Sequence, residues 1–244
     1  MSLSGEAFLS LLSKPRVAAS FWRTADTDSL LTMQKDGLDI AEIRLDLAEQ
    51  CDYESARALM TGYQSLPLIL TIRTAEEGGQ WRGDDKTRCK LFGQLLPFAA
   101  AADVELNSPI LSQVVAAAKK TGRAVIVSRH NFFAAESLDN LNTAAQNAFD
   151  SGADVFKTAC LVQNEDELKV LHDFLQQWRG HRVVVIGMGE SETARRARLS
   201  LPRDGSRIAF AAAAEKSAPG QLSLKETVAA INGYNKIENQ NEGR

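Results

Sequence analysis

The sequence predicts an α/β fold, a (β/α)8 TIM barrel built as one domain over residues 1–244, and three observations carry that expectation. Short apolar runs alternate with amphipathic stretches from one end of the chain to the other, the pattern of repeated βα units around a parallel sheet. Eight such units fit within 244 residues, the usual length of such barrels. Polar residues that interrupt the apolar runs fall near the C-terminal ends of those runs, the end at which barrels carry their active sites. A doubly wound open sheet is the alternative reading of the same alternation.

The apolar runs, in chain order, are residues 16–21, 40–47, 68–74, 102–106, 124–130, 153–160, 182–188 and 207–213. Each is short, rich in Val, Ile, Leu and Ala, and of strand rather than helix length. Between them lie helical stretches at 26–35, 54–63, 85–101, 108–120, 137–151, 165–178, 192–200 and 223–232. Turn residues punctuate the returns from helix to strand, at Asp36-Gly37, Thr121-Gly122, Ser151-Gly152 and Gly180, where a left-handed cap is needed. No Gly/Ser linker, charge block or low-complexity segment divides the chain, and only a polar tail is expected after about residue 234.

Composition narrows the function classes. With 44% hydrophobic residues, 24% charged residues and a formal charge of −3, the chain can bury a substantial core. Its Arg and Lys form no basic stripe for nucleic acid. Cys51, Cys89 and Cys160 are odd in number and share no ligand-like spacing, so neither a disulfide framework nor a zinc site is expected. A reducing cytoplasmic setting fits. The short apolar stretch from Phe8 to Leu12 has no cationic flank or cleavage pattern, and no apolar run approaches the roughly 18 residues of a membrane span.

Lys157 is the most informative residue. It interrupts Asp154-Val155-Phe156-Lys157-Thr158-Ala159-Cys160-Leu161, otherwise a buried strand. A buried ammonium must be paired, or lose its proton and become a nucleophile. His130 closes the preceding run, Ala124 to Arg129, in the same way. Alone it reads as a satisfied structural histidine; beside a strand that carries Lys157, it reads as a proton carrier. His172, in a helical stretch, and His181, at the opposite face, are read as structural.

In Glu42-Ile43-Arg44-Leu45-Asp46 the charges alternate with apolar residues, so they share one side of a strand. On an edge strand that side is merely solvated. In a barrel it points into the mouth, where Arg and carboxylate together suit a polyhydroxylated ligand. Arg73 and Thr74 lead into Glu77-Gly78-Gly79, either an ordinary loop or a close approach to ligand with Glu77 set to orient an imidazole. Late in the chain, Val183 to Glu190 is followed by Arg195-Arg196 and by Ser217-Ala218-Pro219-Gly220-Gln221. An Arg pair on a helix is ordinarily a solvated face. Here one arginine and a Pro-Gly loop with neutral donors are suited to closing over a carboxylate.

Together these segments resemble the type I 3-dehydroquinate dehydratases, a likeness that covers almost the whole chain. It is carried by Glu42 to Asp46, Ile72-Arg73-Thr74 with Glu77-Gly78-Gly79, Ser128-Arg129-His130, Phe156-Lys157, Met188-Gly189 and, most specifically, Ser217 to Gln221. The resemblance implies a (β/α)8 barrel, commonly dimeric, that dehydrates 3-dehydroquinate to 3-dehydroshikimate in the shikimate pathway through a Schiff base and without a cofactor or metal. It implies Lys157 as the imine-forming lysine, His130 as general acid/base and Glu77 as its positioning carboxylate. Glu42, Arg44 and Arg73 would grip ring hydroxyls, and Arg196, with Arg195 as the neighbouring alternative, would hold the substrate carboxylate with Ser217 and Gln221. Met188 and Phe210 would be apolar walls and Ser20 a peripheral contact. The chain departs from the usual pattern at Asn131, often Asp, at Ile186, often Met, and at Cys160-Leu161-Val162. Rival readings are a class I Schiff-base aldolase, which would often present a phosphate-binding Gly-rich loop, and a non-catalytic sugar-acid-binding barrel, which needs no Lys–His pair.

Overall fold

The structure is a computed structural model that describes residues 3–213 and 220–241, with side chains described up to residue 232. Its strands are β1 (Arg16–Phe21), β2 (Ile40–Arg44), β3 (Leu68–Thr71), β4 (Ala101–Glu105), β5 (Ala124–Asn131), β6 (Val155–Leu161), β7 (Val183–Met188) and β8 (Ile208–Ala211). They form one eight-stranded sheet in the order β7-β6-β5-β4-β3-β2-β1-β8, and each registered pair is parallel. The helices are α1 (Gly5–Leu11), α2 (Thr27–Lys35), α3 (Tyr53–Gly62), α4 (Asp85–Leu95), α5 (Leu111–Lys120), α6 (Leu138–Asp150), α7 (Glu165–Gln177), α8 (Glu192–Ser200) and α9 (Leu224–Asn241). This is the expected barrel rather than an open sheet.

Between β7 and β8 the closure is sparse. The Arg207 N–H donates to the Val183 carbonyl at 2.9 Å, and the Ser206 hydroxyl accepts from Val185 N–H at 2.9 Å while facing its carbonyl at 3.2 Å. One side chain thus substitutes for a rung of ladder.

Alternation of side chains along each strand separates two apolar regions. Outward residues such as Ile43, Leu70, Val104, Val127, Phe156 and Val185 pack against the surrounding helices. Inward residues Ala18, Ile40, Ile69, Ala101, Ile126, Val155, Val184 and Ile208 fill the lower barrel. Above this apolar floor the next inward positions on β1 to β6 are polar, while β7 and β8 present Ile186 and Phe210, and there the site is built.

Helix α1 plugs the floor from below. Ser4 caps it by accepting from Ala7 N–H at 3.2 Å, and Phe8 and Leu12 insert among the inward apolar residues. Carbonyls at its C-terminus and just beyond are satisfied from at or just before strand starts: Arg16 donates to Leu11 at 2.9 Å, Arg182 to Leu9 at 3.2 Å and Arg207 to Ser13, past the helix end, at 2.9 Å. Cationic donors at a helix C-terminus complement both its orphan carbonyls and its dipole.

Several element ends differ from the expected ones. The run 40–47 stays extended only to Arg44 before a 3-10 turn, Leu45–Leu47, and the run 68–74 only to Thr71 before a second turn, Ala75–Glu77. Helix α4 stops at Leu95 because Pro97 lies in a following 3-10 turn, and Ala101 already belongs to β4. Where a tail was expected after about residue 234, the α9 backbone stays helical to Asn241.

Candidate active site

Lys157 projects from the middle of β6 and is almost fully buried. Its Nζ donates to Asp103 Oδ2 at 2.9 Å and to Glu42 Oε1 at 3.4 Å, and it stands 4.4 Å from the centroid of the Phe210 ring. Both carboxylates are themselves held. Glu42 accepts from Ser20 Oγ at 2.5 Å and Thr71 Oγ1 at 3.0 Å. Asp103 Oδ1 accepts from Arg73 Nη2 at 2.7 Å and Ser128 Oγ at 2.6 Å. Burial opposes their ionisation, but Lys157 and Arg44 outweigh it at Glu42, and Arg73 and Lys157 at Asp103, so both carboxyls titrate below the usual range.

His130 and Glu77 form a second pair. Glu77 Oε2 accepts the backbone N–H of His130 at 3.0 Å and faces its Nδ1 at 2.9 Å, which leaves Nε2 for the cavity that His130 lines. Burial pushes Glu77 up to about 7, against the pull of Arg73 and with the push of Glu105 and Asp103. Burial, with the nearby charges of Arg73 and Lys157, holds His130 well below its ordinary value. The imidazole is therefore neutral at neutral pH and available as a base.

Arg44 makes a forked pair with Asp46, at 2.9 and 2.7 Å. The Gly78-Gly79 pair serves a different end from approach to ligand alone. Gly78 has φ 77° and closes the turn that carries Glu77, while a Cβ at Gly79 would strike the Arg73 carbonyl. Asn131 donates to Glu136 at 2.9 Å, a contact that an aspartate there would turn into carboxylate repulsion.

A single cavity of about 60 Å³ is lined by Ser20, Glu42, Arg44, Arg73, Glu77 and His130, and also by Lys157, Met188, Phe210 and Gln221. Arg196 is not among its walls. It is half exposed and ion-paired with Glu165, and Arg195 pairs with Glu226 at 2.8 Å. The arginine that α8 sends into the cavity is Arg198, which burial lowers to about 10. The helical period explains it: Ala194, Ala197, Arg198 and Leu201 form the buried face of α8, and 195 and 196 lie outside it. Ser217 lies outside the described residues. Gln221, at the end of the same Ser217-to-Gln221 segment, is buried, and Gly220 has φ 67° with no room for a Cβ against the Gly189 carbonyl.

Sequence reasoning gave no role to Asp103, Glu105 or Arg198. Asp103 and Glu105 sit two apart on β4, a period-2 signal muted by the short alanine-rich run around it. Among the described residues, no group of three or more His, Cys, Asp or Glu is placed to hold a metal ion, and no helix is long and apolar enough to cross a membrane.

Comparison with known proteins agrees with this geometry. The family model described as type I 3-dehydroquinase matches residues 23–237. A 3-dehydroquinate dehydratase of Methanosarcina barkeri is 35% identical over 204 residues, covering 79% of this chain and 84% of the relative. Another, of Thermodesulfovibrio yellowstonii, is 30% identical over 226 residues, covering 89% and 95%. Among solved structures, a type I 3-dehydroquinate dehydratase of Clostridium difficile carrying covalently modified comenic acid superposes with a TM-score of 0.81 at 26% identity, over 92% of this chain and 93% of that one. The 3-dehydroquinate dehydratase of Aquifex aeolicus gives 0.78 at 26% identity, over 89% and 98%. The chain belongs to the type I 3-dehydroquinase family.

Proposed function

We infer that the chain is a hydro-lyase converting 3-dehydroquinate to 3-dehydroshikimate, a step of the shikimate pathway, through a Schiff base on Lys157. The observation that carries the residue assignment is a buried lysine in one cavity with a neutral histidine whose Nδ1 is occupied by a carboxylate. A β-hydroxy ketone resists loss of the proton beside its carbonyl, and a protonated imine supplies the missing electron sink.

Lys157 must first lose a proton. Glu42 and Asp103 favour their ionised forms, so they are poor acceptors, and neutral His130 is the base that remains. Nζ then adds to the carbonyl carbon, and the carbinolamine loses water with the proton that His130 returns. The neutral imidazole next takes the proton from the carbon beside the iminium, and the resulting enamine expels the β-hydroxyl as water, again with the proton from His130. Water finally hydrolyses the iminium and frees Lys157. Each proton transfer contributes on the order of 10²–10⁴-fold.

Glu42, Arg44 and Arg73 are the partners for ring hydroxyls, with Ser20, Met188 and Phe210 as walls. Arg198 supplies the charge for the substrate carboxylate, with Gln221 and Ser217 as neutral donors. Borohydride with 3-dehydroquinate should fix substrate mass on Lys157, detected by peptide mass spectrometry, and Lys157→Ala should lose adduct and turnover. Adduct on another lysine overturns the assignment. We also propose a single cooperative domain that works in the cytoplasm as a homodimer, for which light scattering in solution should read twice the chain mass of 26.6 kDa.

A further inference from the structure

We propose that Glu105, gripped by Arg88, is a positioning residue for the Glu77–His130 pair: it anchors the turn that carries Glu77 and places a fixed negative charge beside it. The proposal rests on the reading of that pair as the acid/base.

Arg88 belongs to α4, in the outer layer, yet its side chain is fully buried. It reaches over the end of β3. Its Nε donates to the Ile72 carbonyl at 2.8 Å, Nη1 donates to Ser108 Oγ at 3.1 Å, and Nη2 grips Glu105 Oε2. The other oxygen of Glu105 accepts the Thr74 N–H at 2.9 Å and stands 3.5 Å from Arg73 Nη1.

Thr74 is the residue on which the next turn hangs. Its carbonyl accepts from Glu77 N–H at 3.2 Å and from Gly79 N–H at 2.8 Å. No side chain caps that turn at its start. Thr74 is thus held through its N–H by Glu105 and holds Glu77 through its carbonyl, one peptide plane on each side of its Cα. A run of hydrogen bonds leads from Arg88 through Glu105 and Thr74 to Glu77 and the imidazole.

Stability alone is a weak reason for this arrangement. A buried ion pair costs desolvation that a well-packed apolar pair of similar volume avoids. What apolar residues would not supply is charge and direction. The charges that act on Glu77 are Arg73, two residues past β3, and Asp103 and Glu105 from β4, beside the backbone N–H and imidazole of His130 from β5, and Glu105 raises the proton affinity of Glu77 against Arg73.

The test uses the balanced double variant Arg88→Met/Glu105→Gln, which keeps an acceptor for Thr74 N–H but removes both charges, together with Arg88→Lys, which keeps the charge and loses the fork. Thermal unfolding checks that each is folded. Of the two charges removed it is that of Glu105 that acts on Glu77, and its loss disfavours protonation, so the limb of the pH–kcat profile that titrates the pair should move to lower pH by about half a unit or more in the double variant. Its kcat should fall about tenfold with KM little changed. Arg88→Lys should lower kcat with the limb in place. A folded double variant with wild-type kcat and pH profile overturns the proposal, as does a lower kcat with an unmoved limb. If the double variant does not fold, wild-type kcat in Arg88→Lys overturns it. Glu77→Gln and His130→Ala separate the two layers of the argument: a limb that survives both refutes the acid/base reading itself, whereas a limb lost in them but unmoved in the double variant refutes only the role of Glu105.

Discussion

Glu77 holds its proton to about 7 because burial denies its anion water. A carboxyl whose folded pKa is raised stabilises the fold below its unfolded value near 4.5, and that contribution is lost as pH rises from 4.5 to 7. At about 1.4 kcal/mol per pKa unit, the stability of wild type relative to Glu77→Gln should drop by a few kcal/mol between pH 4.5 and 7.5, read by urea unfolding at both pH values. A flat difference would show that the carboxyl titrates normally. His130, with a depressed pKa, acts oppositely and loses stability as pH falls through 6.5, so the comparison must be made against the Glu77 variant. A second expectation concerns α8: Arg198→Ala should raise KM by about a hundredfold, because it removes the charge that meets a desolvated carboxylate. Arg196→Ala, on the half-exposed outer face, should leave KM unchanged in steady-state kinetics. Lys157 and His130 were legible because a polar residue in an apolar strand announces itself. Arg198 was hidden by two exposed arginines before it, although the helical period of Ala194, Ala197 and Leu201 marks it as inward. Asp103 was not legible because its partners, Lys157 and Arg73, are brought to it only by the closed sheet.

Strands and helices followed from alternation of apolar runs, while their ends did not, because ends are set by single residues and tertiary partners. Pro97 ended α4 where the periodicity ran on. Arg44 and Thr71 ended their strands because a barrel mouth needs turns that swing side chains inward, which no local propensity encodes. Helix α1 shows the limit most clearly: at 7 residues it is too short to be stable by itself. Its stability comes from Phe8 and Leu12 in the floor and from Arg16 of β1 and Arg182 just before β7. Phe8→Ala should therefore cost about 3–5 kcal/mol in denaturant unfolding. A cost below about 1 kcal/mol would mean that the floor closes without the plug.

Taken as a whole, the molecule grades from an apolar floor to a charged mouth, a design that alternation and the placement of polar residues at strand ends foretold. The weakness of its seam was not foretold. Ser206→Ala would leave the buried Val185 N–H and carbonyl without the hydroxyl that now meets both, costing on the order of 1–3 kcal/mol, and the Val185 amide should then exchange with solvent faster than its neighbours in hydrogen-exchange experiments. That seam has a use. Arg198 lines both the active cavity and a small void of about 20 Å³ walled by Val185 and Ile186 of β7 and Ile208 to Phe210 of β8. A continuous ladder at this joint would seal the wall and shut an outer-layer guanidinium out of the interior; the missing rungs act as a doorway, so the barrel gives up cohesion at one joint to admit the cation proposed above for the substrate carboxylate.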